Sequence, residues 1–281
     1  MYRVTVIVWA FLLGFCSVTS AAAPAGRTVG NGDLFVVEAP SGAGHAVWAE
    51  LEGRRFPAIR SGTAGKSFFL LGFDLDTDAG EYPLKVHYEG TSESVETLEI
   101  SVRLREFAVE ELSLPEKMVT PPADVLARIG EERKAAAAVY ASSAPDAMWL
   151  PPFSRPVEGE PSGNFGRRRI LNGKPKSPHS GEDYKAGLGT EVRAVARGRV
   201  GMARDLYYSG KTILLDHGGG LVSQYFHLNS MSVKDGQVVP KGETIGTVGA
   251  TGRVTGPHLH FGVRLHGMRS DPSLLWRLFS D

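Results

Sequence analysis

Cysteine is nearly absent: the 281 residues include one, Cys16. Its place is telling. Met1-Tyr-Arg3 is a short basic start, Val4 to Phe15 an apolar run, and Ser17 to Ala23 a set of small residues ahead of Pro24. This is the pattern of an export signal, with cleavage expected near Ala21 to Ala23. Cleavage removes Cys16, so the mature chain is expected to have no disulfide, no thiol and no cysteine metal ligand. Lipid attachment at Cys16 is the lesser alternative, because the bulky Phe15 precedes it. A long hydrophobic run is missing too. Val4 to Phe15 is too short to span a bilayer, so no stable membrane anchor is expected after processing. Excess charge of either sign is also lacking, with 31 Lys plus Arg against 31 Asp plus Glu. A balanced chain sets up no broad field for nucleic acid or an anionic membrane, and neither is expected as a partner.

Several catalytic signatures are absent as well. There is no His-Glu-x-x-His motif, and no serine has glycines two before and two after it. Gly65-Lys-Ser67 and Gly210-Lys-Thr212 resemble the end of a phosphate loop, but Arg60 and Asp205 stand where its first glycine is needed.

What is present is a globular composition, 42% hydrophobic and 9% aromatic, in a chain long enough for two domains. The pattern is mostly β. Leu34–Val37, Ala46–Ala49, Ser67–Leu71, Leu84–Tyr88 and Val95–Leu104 are short apolar or alternating runs. Turn residues at Ser41-Gly42, Glu52-Gly53, Asp78-Ala-Gly80 and Glu89-Gly90 punctuate them. A small N-terminal β-sandwich over 24–110 is the expectation. A helical linker over 111–148 follows, with Thr120 as candidate N-cap before Pro121-Pro122 and strong helix formers from Glu131 to Ala138. From 149 to 281 the chain is glycine-rich and β again. Strands are expected at Val192–Val200, Thr212–Asp216, Leu221–His227, Val238–Val239, Glu243–Val248 and His258–Leu265, with a short helix over Pro272–Leu278.

This last stretch also concentrates metal-type ligands. His179-Ser-Gly-Glu-Asp183, Tyr225-Phe-His227 and Gly256-Pro-His258-Leu-His260 hold four of the eight histidines. Residues two or four apart on a strand point the same way, so each pair could face one cleft. An open zinc site needs three nitrogen or oxygen ligands and one free position. Two histidines and a carboxylate supply that, and two histidines remain for proton chemistry. His217 and His266 read as turn residues, His45 and His87 as ordinary surface or packed histidines. By the same parity Glu182 faces away from Asp183.

These residues carry a resemblance. The stretch from Phe153 to about Pro272 resembles the lysostaphin-like, or LytM-type, zinc metallopeptidases. Phe165-Gly166, His179 to Asp183, Gly189 to Ala194, Gly198 to Val200, Tyr225 to Leu228, Gly242 to Gly246 and Thr251 to His260 match in order. The resemblance implies a β-rich domain with an open groove that cleaves peptide cross-links among the stem peptides of peptidoglycan. It implies Zn²⁺ on His179, Asp183 and His260, with His227 and His258 as catalytic histidines. His258 would be the general base, and His227 would stabilise the oxyanion or protonate the leaving amine. Tyr225, expected on the face of His227, and Asn164, at the groove, are candidate substrate contacts. Exported bacterial members carry a similar N-terminal β domain, so an exported enzyme is the expectation, periplasmic or else extracellular or cell-wall associated, with monomer as the default. The alternative is a LytM-type chain without catalysis that activates cell-wall amidases, or a peptidoglycan-binding module.

Overall fold

The computed structural model describes residues 27–39, 45–60, 67–89, 94–113 and 115–279. The expected export signal with Cys16, the turn at Ser41-Gly42, Gly65-Lys66 and Gly90 lie outside them. The chain is mostly β, as its alternating runs imply.

The first hundred residues contain β1 (Arg27–Gly30), β2 (Leu34–Glu38), β3 (His45–Leu51), β4 (Arg54–Pro57), β5 (Ile59–Arg60), β6 (Ser67–Gly72), β7 (Gly80–Glu89) and β8 (Ser94–Arg103). One sheet has the order β1-β8-β7-β3-β4, the other β2-β6-β5. β8 alternates exposure along most of its length, so one face meets solvent. In β6, by contrast, five of six residues are buried. Its Phe-Phe-Leu-Leu run has no polar face to present, and it takes the centre of its sheet. Those side chains do not form a separate core. Phe56, Phe69 and Leu71 belong to the same contiguous apolar cluster as Tyr184, Tyr225 and Phe261.

The connecting stretch holds β9 (Val109–Leu112), α1 (Glu116–Val119) and α2 (Ala123–Ala141). The long helix was expected to start from a Thr120 cap. Its cap falls two residues later, on Pro122, with no side-chain cap bond. The physical reason is Pro121-Pro122: a residue preceding proline is driven out of the α region, which delays the first turn. α2 is also more than a linker, since Ala135, Ala136, Val139 and Tyr140 pack on Met202, Leu214 and Val222.

The remainder contains β10 (Arg168–Leu171), β11 (Lys174–Lys176), β12 (Gly181–Tyr184), β13 (Glu191–Arg193), β14 (Gly198–Leu206), β15 (Gly210–Asp216), β16 (Leu221–Met231), β17 (Val238–Val239), β18 (Thr244–Val248), β19 (Leu259–Leu265), β20 (Met268–Ser270) and α3 (Leu274–Arg277). Nine strands make one sheet. Its main order is β12-β19-β16-β15-β14-β17, with β18 on β16, β13 on β18 and β20 on β19. The strand expected over Val192–Val200 is two strands. Between them the chain turns inward, and the Val195 N–H goes to the Tyr225 hydroxyl (3.1 Å). A separate three-stranded sheet, β11-β10-β9, joins β9 in parallel to β10, pairing Arg168 with Val109 through to Leu171 with Leu112.

Candidate metal centre and active site

Sheet register brings the ligand motifs together. β12 runs antiparallel to β19 with Asp183 directly opposite His260, the closest placement two strands allow their side chains. β16 lies on the other side of β19, with Phe226 opposite His260 and the two rings stacked at 5.1 Å. Gly181 has a steric reason to be glycine: a Cβ there would lie 2.5 Å from Phe261 O and 2.7 Å from His260 Nε2. His179 stands just ahead of β12 and not on it, so strand parity does not aim it. Its imidazole is aimed by Asn164, whose backbone carbonyl faces His179 Nδ1 at 3.0 Å. That carbonyl takes the Nδ1 proton and leaves Nε2 with its lone pair.

His179 Nε2 lies 2.8 Å from His260 Nδ1 and 3.2 Å from Asp183 Oδ1, and His260 Nδ1 lies 2.9 Å from the same oxygen. Three acceptor-bearing atoms thus meet at one point, and a single proton on His260 can serve only one of its two neighbours. His260 Nε2 is buried with no hydrogen-bond partner. A cation shared by the three atoms fits this donor set, two imidazoles and a carboxylate, and it leaves the His260 proton on Nε2. Burial lowers His260 to about 4, even with Asp183 beside it, so it stays neutral and able to coordinate. Burial acts to raise the Asp183 carboxyl, but the His179 and His260 imidazoles beside it outweigh burial and hold it well below the usual carboxylate range.

A second ring of residues holds the ligands in place. Asn164 Nδ2 donates to Asp183 Oδ2 (2.8 Å) and Asn164 Oδ1 accepts the Asp183 N–H (3.1 Å). Glu182 does turn away from Asp183, as parity required. Its buried carboxylate accepts the N–H groups of Asn164 and Phe165, both at 3.1 Å. Burial pushes its pKa up, against those two backbone bonds. Glu182 therefore clamps the turn that carries Asn164.

His227 and His258 face this cluster. His258 Nε2 is 3.7 Å from Asp183 Oδ1, and the His227 and His258 rings are 4.9 Å apart. Each Nδ1 lies 2.9 Å from a backbone carbonyl, that of Thr251 for His227 and of Gly256 for His258. Both therefore donate from Nδ1 and present Nε2 as a proton acceptor. Burial, with smaller effects from His260 and His258, lowers His227 to about 3.

Tyr225 does not share this cleft, which corrects the parity expectation. β16 carries an extra residue here: Lys211 pairs with Leu228 but Ile213 with Tyr225. Such a bulge reverses the alternation, and His227 takes a left-handed φ of 63° to make it. Tyr225 is turned into the core against Phe261, while His227 is turned out to the cleft. His217 and His266 also stand apart. His217 is fully buried with Nε2 2.7 Å from Ser223 Oγ, and His266 sits in the turn between β19 and β20.

Glu110 and Leu112 of β9, Arg169 and Leu171 of β10, and Arg253, Val254 and Thr255 complete the walls. With Asp183, His227, His258 and His260 they enclose a cavity of about 160 Å³. The expectations from sequence did not include Glu110, Arg169 or Arg253. The one available signal was the Arg167-Arg-Arg169 run just after Phe165-Gly166.

The sequence pattern described as Peptidase family M23 matches residues 177–272. A crystal structure of a Pseudomonas aeruginosa protein assigned to peptidase M23 is 32% identical, covering 89% of this chain and 95% of that one, with a TM-score of 0.68. The chain belongs to peptidase family M23. Two curated relatives of this M23 chain come from Vibrio cholerae serotype O1. Peptidoglycan DD-endopeptidase ShyA is 41% identical over 107 residues, 38% of this chain and 25% of the relative. Peptidoglycan DD-endopeptidase ShyC is 39% identical over 113 residues, 40% of this chain and 26% of the relative. The M23 chain thus spans about a quarter of the length of these curated relatives.

Proposed function

We propose that this chain is an exported zinc metalloendopeptidase that hydrolyses peptide cross-links of bacterial peptidoglycan, with 149–281 as its catalytic unit. The observation that carries the reading is the convergence of His179 Nε2, Asp183 Oδ1 and His260 Nδ1 to within 3.2 Å of one another, beside two histidines that offer Nε2. The names of the Vibrio relatives support peptidoglycan as the substrate. Zinc held by the three residues would supply Lewis-acid polarisation of an amide carbonyl and bring the pKa of a water in its open position toward neutrality.

His258 is the closer of the two free histidines to Asp183 and takes the water's proton at Nε2. The Gly256 carbonyl on Nδ1 holds the ring in the acceptor tautomer. His227 cannot donate to an oxyanion in its resting state, since Thr251 O takes its Nδ1 proton. The proton that His258 takes up passes to the leaving amine by way of His227 Nε2, whose ring lies 4.9 Å from that of His258, so both histidines end neutral as the amide C–N bond breaks. Asn164 orients His179 and Asp183, which is a positioning role and not a substrate contact. Tyr225, buried in the core, has no part in binding substrate.

The test is digestion of purified sacculi by the mature chain with stoichiometric zinc, the products read by mass spectrometry. Un-cross-linked stem peptides should appear with the wild type. His179→Ala should release none and bind no zinc. His258→Ala should keep zinc and lose about 10²- to 10⁴-fold in rate. Loss of zinc in His258→Ala would overturn the division into ligand and base. Sacculus binding without release by a zinc-loaded wild type would point instead to the binding module.

A further inference from the structure

The cavity over the metal-type cluster is walled by more positive charge than the proposed hydrolysis itself requires. Arg169 and Arg253 line it together with Glu110 and Asp183. With a divalent cation on the cluster, two arginines and the ion stand against two carboxylates, an excess of two positive charges in about 160 Å³. So small a space with such an excess favours an anionic guest.

Both guanidiniums are held in place. Arg169 Nε donates to Glu110 Oε2 at 3.2 Å, while Nη2 lies 3.8 Å from Asp183 Oδ2, beyond hydrogen-bonding distance. Arg253 lies over the Tyr208 ring at 4.5 Å. Burial and the like charge of Arg169 both lower its pKa, a repulsion that an anion between the two would relieve. The chain already shows that Arg169 accepts a carboxylate, because Glu110 places its own there. Glu110 comes from β9, the strand laid along β10 from the N-terminal side, so a residue outside the proposed catalytic unit occupies this position.

We propose that Arg169 and Arg253 form a clamp for a substrate carboxylate lying within one residue of the scissile amide. The inference rests on the hydrolase reading above. The shared cavity sets the position: Arg169, Arg253 and the metal-type residues line the same space of about 160 Å³, and Arg169 Nη2 is 3.8 Å from Asp183 Oδ2, so a carboxylate held by the arginines lies beside the amide cleaved there. The substrate class is therefore an acidic peptide whose carboxylate flanks the cleaved bond. A carboxylate on a cross-linked diamino residue and one at a chain terminus share this chemistry. Arginine suits the task because its planar fork pairs with both oxygens of a carboxylate, which lysine's ammonium cannot do.

The test uses the zinc-loaded mature chain and matched peptides with the flanking carboxylate free or converted to an amide. One pair is cross-linked and one is linear with a terminal carboxyl, which separates the two sources. The wild type should cleave the free acid about tenfold or more faster in kcat/KM than the amide. Arg169→Gln and Arg253→Gln should each lose about 10- to 100-fold on the free acid, mostly in KM, and under about threefold on the amide. Arg169→Lys should recover part of the loss. Zinc content should match the wild type throughout. Equal losses on both peptides, or a wild type indifferent to amidation, would overturn the clamp. A wild type that cleaves neither peptide would sink the hydrolase reading, and calorimetric titration with the product peptides would still decide the clamp. Tighter binding of the acid than of the amide, abolished in Arg169→Gln, supports it, and equal binding refutes it.

Discussion

Among single residues, the burial of a histidine and the atom facing each ring nitrogen fix what it can do. His217 Nδ1 lies 2.9 Å from Arg197 O and Nε2 2.7 Å from Ser223 Oγ. Both nitrogens are used and the ring is fully buried, so it holds the core together. Burial lowers its pKa to about 4. The unfolded chain takes up that proton near 6.5, so acidification from about 6.5 to about 4 favours unfolding, by roughly 3 kcal/mol at most. His217 stability is fully present above about 6.5. Urea unfolding at pH 7 and pH 5 should show the wild type losing more stability than His217→Asn over this interval, at fixed zinc. Parallel losses would rule out the buried neutral ring as the cause. His227 differs in one respect: only Nδ1 is taken, by Thr251 O, and Nε2 is left for chemistry. Sequence read His217 as a turn residue and His227 as a catalytic candidate, but the carbonyl that fixes each ring, Arg197 O or Thr251 O, comes from another segment and was not legible.

At the level of elements, β12 and β19 build the ligand pair, and the segment from Gly249 to His258 builds the rest. Gly249 O accepts the His258 N–H (3.2 Å), and Thr251 O fixes His227. Gly249 is packed against β16 so closely that a Cβ would lie 2.5 Å from the Leu228 carbonyl carbon and 2.7 Å from Asn229 Cα. Backbone cannot give way as a side-chain tip can. Gly249→Ala is therefore expected to cost about 1 to 3 kcal/mol. It should shift His258 and Arg253 while leaving β12 and β19 intact. Thermal unfolding, zinc content and turnover together check this: a lower melting temperature and slower turnover with zinc retained is the expected result. Most strands over 192–265 were legible from alternation and glycine punctuation. β9, β10 and β11 were not, since Val109–Leu112 and Arg168–Leu171 have too few apolar residues to signal a strand. Their pairing exists because two distant segments meet.

Across the whole molecule, the N-terminal sheets and the nine-stranded sheet share one apolar cluster. Trp149 lies at their junction, with ring centroids 6.4 Å from Phe68, 4.9 Å from Phe153 and 6.1 Å from Phe279. Arg105 ties Asp33 (2.9 Å) to Asp271 (3.1 Å), and Arg269 pairs with both Asp74 and Asp76. So joined, the parts should unfold together. Trp149→Ala is expected to lower stability by about 3 to 5 kcal/mol. Fluorescence of the remaining tryptophans and far-ultraviolet dichroism should follow one coincident transition. Two separated transitions would mean that the shared cluster does not couple the parts.

Sequence alone determined the mostly-β class and gathered the candidate metal-type residues, while the division into ligands and catalytic histidines came from the family resemblance. Class and candidates depend on residue type and on short-range periodicity, which a chain carries wherever it folds. Parity even oriented Glu182 correctly, because no bulge interrupts β12. Tertiary structure decided the rest: the bulge that sends Tyr225 to the core and His227 to the cleft, the Asn164 turn that aims His179, and the meeting of Glu110 with Arg169. Each of these depends on register between segments 12 to 59 residues apart. Such register is set by how the strands pack together, and local sequence pattern does not encode it.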